Sequence, residues 1–417
     1  MHRVLLLVPS ASYRASDFLE AARTLGIEVI VGCEEPPVIR ASRANVQVPL
    51  YDPVAAVEAI VALDSKRPLD AVVAVDDQGS LAAARACERL GLRSNSPGAV
   101  AAARDKLAMR SLLSEAEVPQ PAFAPLPSGA GPYEQARLAE MVGLPCVLKP
   151  TSLSASQGVI RANTIGEVQA GVSRVRAIAA SAGAEPGEPI LIERFVPGPE
   201  VAVEAMLTNG ELSVLAIFDK PDPLEGPYFE ETLYVTPSRL DRTDLDAVEA
   251  VTKAAARALG LSEGPLHAEL RVDAGRAFVI EVAARSIGGL CSRTLKFGTG
   301  TTLEHLILAH ALGRGAGSLD MKGAAGVLML PIGTGGTLLE VTGQKEALSI
   351  AGIAGLEITI APGRPLVPLP EGNRYLGFVF ARGETPEEVE AALRAAMATL
   401  RVRVRPAGPL RHPVAGR

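Results

Sequence analysis

Short apolar runs alternate with amphipathic stretches through the first hundred residues. "RVLLLVPS" reads as an apolar strand, and "ASDFLEAARTLG" follows with helical spacing and a glycine stop. "IEVIVGC" and "DAVVAVDD" read as further strands, separated by the helix "DPVAAVEAIVAL" and followed by the helix "GSLAAARACERLG". Alternation of this kind predicts a parallel sheet with right-handed crossovers. After the first strand comes "PSASYRAS", which holds no glycine, so the dinucleotide-binding fingerprint is missing. This segment, residues 1–102, is expected to be a scaffold that contributes some ligand contacts.

The pattern changes after residue 100. "AVAAARDKLAMRSLLSEAEVPQP" predicts an amphipathic helix that carries Lys106 and ends before Pro119. "MVGLPCVLKPTSLSASQGV" predicts a strand bearing Lys149, then a loop of small residues that includes Ser154, Ser156 and Gly158. A lysine feeding such a loop suits phosphate, because backbone N–H groups and hydroxyls surround the anion while the ammonium supplies charge. "PILIERFVPGPEVAVEAML" predicts two strands paired around "PGP", with Glu193 before the turn and Glu200 and Glu204 after it.

Residues 217–240 are rich in proline, aromatic and acidic side chains and are too long for a simple hairpin loop. Glu230 and Glu231, beside Tyr228 and Phe229, form either an amino-group pocket or a solvated loop, and Lys220 is a candidate phosphate contact. In "PLHAELRVDAGRAFVIEVAARSIGG", Asp-Ala-Gly between two apolar runs predicts a hairpin. Its carboxylates, Glu269 and Glu281, either face solvent or meet a cation. Apolar residues of both parities around Glu281 point to burial on both faces, and two facing carboxylates suit Mg²⁺. His267 reads as a hydrogen-bonded strand histidine. The Gly288–Gly289 turn leads to Arg293 and Lys296, which suit a second carboxylate.

In the last hundred residues, "AAGVLMLPIGTGGTLLEVTG" and "GLEITIAPGRPLVPLP" predict β-hairpins. "RYLGFVFARGETPEEVEAALRAAMATL" predicts a strand and then a helix capped by Thr385, with Pro386 at its first position.

Composition narrows the classes. A chain of 417 residues is long enough for two or three domains. A net charge of −6 offers no basic field to nucleic acid. The four cysteines, Cys33, Cys87, Cys146 and Cys291, have no metal-ligand spacing, which fits a reducing compartment. No run approaches the roughly 20 apolar residues of a membrane helix. The apolar stretch Val4–Val8 ends at Pro9 and is too short for a signal peptide, so a cytoplasmic location is expected.

Lys106, Lys149, the serine-glycine loop, "ERFVPGPE" and the Glu269/Glu281 hairpin occur in an order that resembles the ATP-grasp family over roughly residues 100–310. The C-terminal "ARGETPEEVEAAL" is similar to the ending of amino-acid ligases and biotin-carboxylase-like members. The resemblance implies an α/β chain of α+β multidomain type. It would comprise a Rossmann-like domain at 1–102, an ATP-grasp domain at 103–315 with a lid near 118–196, and a small α+β domain at 316–417. It further implies ATP and Mg²⁺. Lys106 and Lys149 would contact the nucleotide phosphates, with Ser154, Ser156 and Gly158 in the loop covering them. Glu193, Phe195 and Val196 would form the adenine hinge, and Glu200 the ribose contact. Glu269 and Glu281 would hold the metal, and Arg285 would steady the acyl phosphate. Ala283 stands where many members have asparagine, which removes one oxygen ligand.

The implied activity is carbon–nitrogen ligation through an acyl phosphate, with small-molecule carboxylate and amine substrates, amino acids being the candidates, bound at Glu230, Glu231, Arg285, Gly288 and Gly289. No nucleic-acid or membrane partner is expected, and a homodimer is compatible with the reading. The competing readings are a bicarbonate- or formate-activating relative and a module that binds ATP without ligating.

Overall fold

The computed structural model describes residues 1–10, 12–35, 44–315 and 322–406. The expected boundary between 315 and 316 lies at the edge of these described residues.

The chain opens with β1 (Arg3–Leu7), α1 (Ala15–Leu25), β2 (Glu28–Cys33), β3 (Ala44–Gln47), α2 (Pro53–Asp64), β4 (Ala71–Ala74) and α3 (Asp77–Leu90). The strands form a sheet of order β3-β2-β1-β4, parallel throughout, as the alternating pattern predicts. Side chains of β1 alternate between its faces. Val4 and Leu6 pack with Phe18 of α1, while Leu5 and Leu7 pack with Ile60 of α2 and Ala86 of α3. Burial on both faces explains why β1 is apolar throughout.

The single helix expected around Lys106 is two: α4 (Pro97–Arg104) and α5 (Lys106–Glu115). Asp105 breaks them apart. Its carboxylate accepts from the N–H groups of Leu107 and Ala108 at 2.8 and 3.1 Å, capping α5. The break places Lys106 at a helix start, where its own N–H donates to Thr151 O at 3.0 Å.

Next come β5 (Phe123–Leu126), α6 (Pro132–Val142), β6 (Cys146–Pro150), β7 (Ile160–Ala162), α7 (Ile165–Ser181) and β8 (Ile190–Arg194). These form an antiparallel sheet of order β5-β8-β6-β7 backed by α6 and α7.

The remaining elements are β9 (Glu200–Thr208), β10 (Glu211–Asp219), β11 (Leu233–Thr236), α8 (Arg242–Ala258), β12 (Gly264–Asp273), β13 (Arg276–Ala283), α9 (Arg293–Thr299), α10 (Leu303–Ala311), β14 (Ala324–Leu330), β15 (Gly336–Thr342), α11 (Gln344–Leu348), β16 (Ile353–Ile358), β17 (Pro365–Leu366), β18 (Gly377–Gly383), α12 (Pro386–Thr399) and β19 (Arg401–Pro406). The described strands build one eight-stranded sheet, β13-β12-β9-β10-β11-β14-β18-β16, and a smaller one, β17-β15-β19. Strands from both sides of residues 315/316 therefore share a sheet.

Three predicted pairings do not form. β8 and β9 do not pair across "PGP": β8 lies in the four-stranded sheet and β9 in the eight-stranded one, so this turn passes the chain between sheets. β14 is buried over all seven residues and takes β11 and β18 as neighbours, while β15 pairs with β17 and β19. β16 likewise pairs with β18 rather than β17. Apolar periodicity reports that a strand is buried, but not which strand lies beside it.

The Asp-Ala-Gly hairpin does form. Ala274 and Gly275 turn at φ 50° and 76°, as a two-residue type I′ turn requires, and Asp273 pairs with Arg276. Thr385 caps α12 as expected, accepting from the Glu388 N–H at 3.3 Å.

Candidate active site

The three parts of the fold meet around a cavity of approximately 490 Å³. Of the residues singled out from the sequence, Lys106, Lys149, Ser154, Ser156, Glu193, Phe195, Val196, Glu200, Glu231, Glu269, Glu281, Arg285, Gly288 and Gly289 line it. The first and last of these positions lie 183 residues apart in sequence, yet all line one cavity.

Lys149 sits on β6, a strand buried along its whole length. Its ammonium lies 2.7 Å from Glu193 Oε2. Arg110, on α5, grips the same carboxylate through Nε at 2.7 Å and Nη2 at 3.2 Å. Burial pushes the Glu193 carboxyl up, but Arg110 and Lys149 outweigh it and hold the group down at about 2. The Glu193 side chain is thus an electrostatic anchor for Lys149. Arg110 was not among the sequence candidates. It lies one helical turn beyond Lys106, and that spacing was the available signal.

Lys106 donates to Leu153 O at 2.7 Å and lies 3.2 Å from Glu281 Oε1. Leu153 belongs to the loop after β6, in which Ala155 and Ser156 both take φ 55°. Gly158 closes the loop at φ 74° and its N–H donates to Pro370 O at 2.8 Å, but it does not line the cavity.

Glu269 and Glu281 stand directly opposite each other across β12 and β13, in register. A bulge follows Glu269, the kind of irregularity that re-aims side chains beside functional sites. Ala283 pairs with His267 and offers no oxygen ligand. His267 holds Glu204 at 2.5 Å through Nδ1 and Glu269 at 3.4 Å through Nε2. Burial would lower its pKa, but Glu204 and Glu269 raise it to about 9. At neutral pH this imidazole is protonated and bridges two carboxylates. Glu204 also accepts from the Ile287 N–H at 3.0 Å, which ties β9 to the segment carrying Gly288 and Gly289.

Lys220 does not line the cavity. Its ammonium lies 2.7 Å from Glu200, 2.5 Å from Glu231 and 3.3 Å from Glu269. Glu200 also accepts from Arg271 Nε at 2.8 Å, and Arg271 donates to Val196 O at 2.9 Å. Glu231 accepts from Tyr234 Oη at 2.8 Å and Tyr375 Oη at 3.3 Å. Burial is the largest influence on Glu231 and raises its pKa despite Lys220. Arg271 balances Glu200, and Lys220 balances one of the other two carboxylates. With Glu204 and the protonated His267 included, four carboxylates meet three cations, so full ionisation leaves one negative charge over and favours a further cation. The oxygens of Glu200, Glu231 and Glu269 approach within 4.8 Å of one another.

Arg285 reaches the cavity from beyond β13, and its Nε donates to Asp77 Oδ2 at 2.6 Å. Asp77 begins α3, so the start of this N-terminal helix contributes Asp76, Asp77 and Gln78 to the wall. Glu230 faces away and accepts from the Ile332 N–H at 3.2 Å. Arg293 and Lys296 do not line the cavity: Arg293 pairs with Asp17 at 2.7 Å and Glu357 at 2.5 Å, and Lys296 lies 3.8 Å from Glu20. Both are spent on joining α9 to α1, because acidic side chains of α1 stand opposite them.

Among the described residues no helix is long and apolar enough to cross a membrane.

Comparison with known proteins follows this layout. An ATP-grasp domain family matches residues 142–294, an ATP-grasp N-terminal domain matches 19–93, and the L-amino acid ligase C-terminal domain 2 matches 328–405. Alanine–anticapsin ligase of Bacillus subtilis is 30% identical over 270 residues, covering 60% of this chain and 56% of that protein. The chain thus spans little more than half of that relative. D-alanine–D-alanine ligase of Desulforudis audaxviator is 30% identical over 217 residues, covering 50% of this chain and 67% of the relative. The crystal structure of an L-amino acid ligase from Bacillus licheniformis superposes with a TM-score of 0.82 at 26% identity, covering 97% of this chain and 99% of that one. The chain belongs to the ATP-grasp family.

Proposed function

We propose that this protein is an ATP-dependent carboxylate–amine ligase that joins amino acids through an acyl phosphate and releases ADP and phosphate. The observation that carries the reading is the convergence of Lys106, Lys149, Glu269, Glu281 and Arg285 on one cavity. Relatives named for amino-acid ligation support the substrate class.

A carboxylate is a poor acyl electrophile, because its charge repels nucleophiles and its leaving group would be oxide. Transfer of the γ-phosphoryl group of ATP to a carboxylate oxygen gives a mixed anhydride with a good leaving group. Lys149 and Lys106 offset charge on the transferring group, and the loop at Ser154–Ser156 covers it. Their geometry is set in advance by Glu193, Arg110 and Leu153 O, so little reorganisation accompanies the reaction. Arg285 stabilises the oxyanion that forms when an amine attacks the acyl carbon and phosphate departs. The surplus negative charge near Glu231 suits a substrate ammonium group.

Mg²⁺ fits the donor set. Glu269 and Glu281 supply hard carboxylate oxygens from directly paired positions of neighbouring strands, and these two residues would hold it. When bound, the ion neutralises phosphate charge. Ala283 adds no oxygen, so the ligands present suit one ion better than two.

A phosphate-release screen of amino-acid pairs, with mass spectrometry of the products, tests the proposal. A dipeptide formed with stoichiometric ADP supports it; ATP turnover without any carboxylate–amine product contradicts it.

A further inference from the structure

The ligation treats its two amino acids differently. The donor's carboxylate is consumed, whereas the acceptor's carboxylate stays an anion throughout and must be carried into a partly buried cavity. Desolvating it requires a cation that is not already neutralised.

Most cations on the wall are committed. Lys106 faces Glu281, Lys149 faces Glu193, Arg271 faces Glu200 and Arg285 faces Asp77. Arg14 is buried, donating to Val75 O at 2.9 Å and Ser286 Oγ at 2.8 Å, with Glu304 at 3.6 Å. Among the described residues, Arg194 and Arg374 line the cavity with no ion-pair partner. Arg194 ends β8, beside Phe195 and Val196, the segment read as the adenine hinge. Arg374 lies elsewhere, an exposed residue of the segment between β17 and β18, and it lines the same cavity as Gly289, Tyr13 and Tyr375. Tyr13 and Tyr375 both pack on Phe378, with ring centroids 5.9 and 6.0 Å apart. Burial raises the Tyr13 phenol to about 12, and the Arg374 charge acts on it in the opposite sense.

We infer that Arg374 binds the carboxylate of the amino acid that supplies the amine, as a specificity-determining residue. The inference rests on the ligase reading above. Two further contacts favour it. Tyr375, the next residue, donates to Glu231, so a cation for the carboxylate adjoins an acid that suits an ammonium group. The segment is also fastened to the loop over the phosphates: Gln157 Nε2 donates to Glu371 O at 2.8 Å, and the Gly158 N–H donates to Pro370 O at 2.8 Å. Arg174 of α7 pairs with Glu371 at 2.7 Å. Acceptor recognition is thereby joined to the covering of the phosphates.

The test uses the full chain and its Arg374→Ala and Arg374→Lys variants. The twenty proteinogenic amino acids are offered pairwise, and each active acceptor is compared with its own carboxamide. Wild type should prefer the acid by about tenfold or more, and Arg374→Ala should lose that preference through a higher acceptor KM. Arg374→Lys should recover part of it. Hydroxamate formation from the donor, ATP and hydroxylamine should stay within about twofold in both variants, which also shows that they fold. An unchanged acid-to-amide ratio in Arg374→Ala overturns the inference while leaving the ligase reading intact. Loss of hydroxamate formation by a folded Arg374→Ala protein overturns it in favour of a role at the phosphates. Wild type that forms neither hydroxamate nor dipeptide overturns the ligase reading, and this inference with it.

Discussion

Arg285 Nε donates to Asp77 Oδ2 at 2.6 Å across 208 residues of sequence. The arginine proposed to meet the acyl group is therefore held by the first helical residue after β4 of the N-terminal sheet. Arg285→Met should lower kcat by about 100-fold or more, with little change in ATP KM, because the lost interaction grows in the transition state. Asp77→Asn keeps the shape and removes the charge, so kcat should fall about tenfold. Steady-state kinetics check both. A fall in Asp77→Asn confined to ATP KM would show that Asp77 acts on the nucleotide rather than through Arg285.

Glu281 faces Glu269 in register and has Lys106 at 3.2 Å. Glu281→Gln should abolish turnover, since the proposed metal seat would lose one of its two carboxylates. It also relieves repulsion between the two acids, so the melting temperature should shift by only a few degrees. Ligation assays over a Mg²⁺ titration, with thermal melts alongside, check the prediction. Near-normal turnover would remove Glu281 from the metal seat.

Glu193 predicts an acid limb in stability. Its pKa is held at about 2 against an ordinary 4.5, so its contribution is complete above about 4.5 and is lost as the pH falls through about 2. Glu193→Gln leaves Arg110 and Lys149 without their buried counter-charge and should cost roughly 3–5 kcal/mol near neutrality. The gap between wild type and variant should narrow by about 3 kcal/mol between pH 4.5 and 2. Urea unfolding at several pH values measures it, and a gap that does not change with pH would contradict the assignment.

Gly198 sits in the turn that passes the chain from the β5-β8-β6-β7 sheet to the eight-stranded sheet. Its φ is 90°, and a Cβ there would lie 1.9 Å from Val272 O. Gly210 has a similar φ of 81° with nothing within 4 Å. Gly210→Ala should therefore cost about 1 kcal/mol from backbone conformation alone, and Gly198→Ala about 2 kcal/mol or more. Denaturant midpoints for the two variants give the comparison. Equal losses would show that the turn relaxes around the added methyl.

The sequence carried the short-range features well. Asp-Ala-Gly specified its hairpin, Thr385-Pro386 its helix start, and the alternation before residue 100 its parallel sheet. Lys106, Lys149, Glu269 and Glu281, which the family resemblance grouped by their order along the chain, line one cavity. Partnerships over long separations were not legible. Arg110 with Glu193 and Arg271 with Glu200 join residues 83 and 71 apart, and nothing in local periodicity marks them. For the same reason the pairing of β14 with β18 was invisible, and Lys220 was read toward phosphate although three acids enclose it. Asp105 was readable in principle, as an acidic residue in front of a helical run, but the apolar spacing on both sides concealed the break.

The central claim is that a carboxylate is activated as its phosphate. Incubating the protein with ATP, Mg²⁺, one amino acid and hydroxylamine, and no second amino acid, tests it most directly. The account predicts the amino-acid hydroxamate with ADP and phosphate in equal amounts, and loss of all three products in Lys149→Ala. Hydroxamate accompanied by AMP and pyrophosphate would mean an acyl adenylate and would contradict the account.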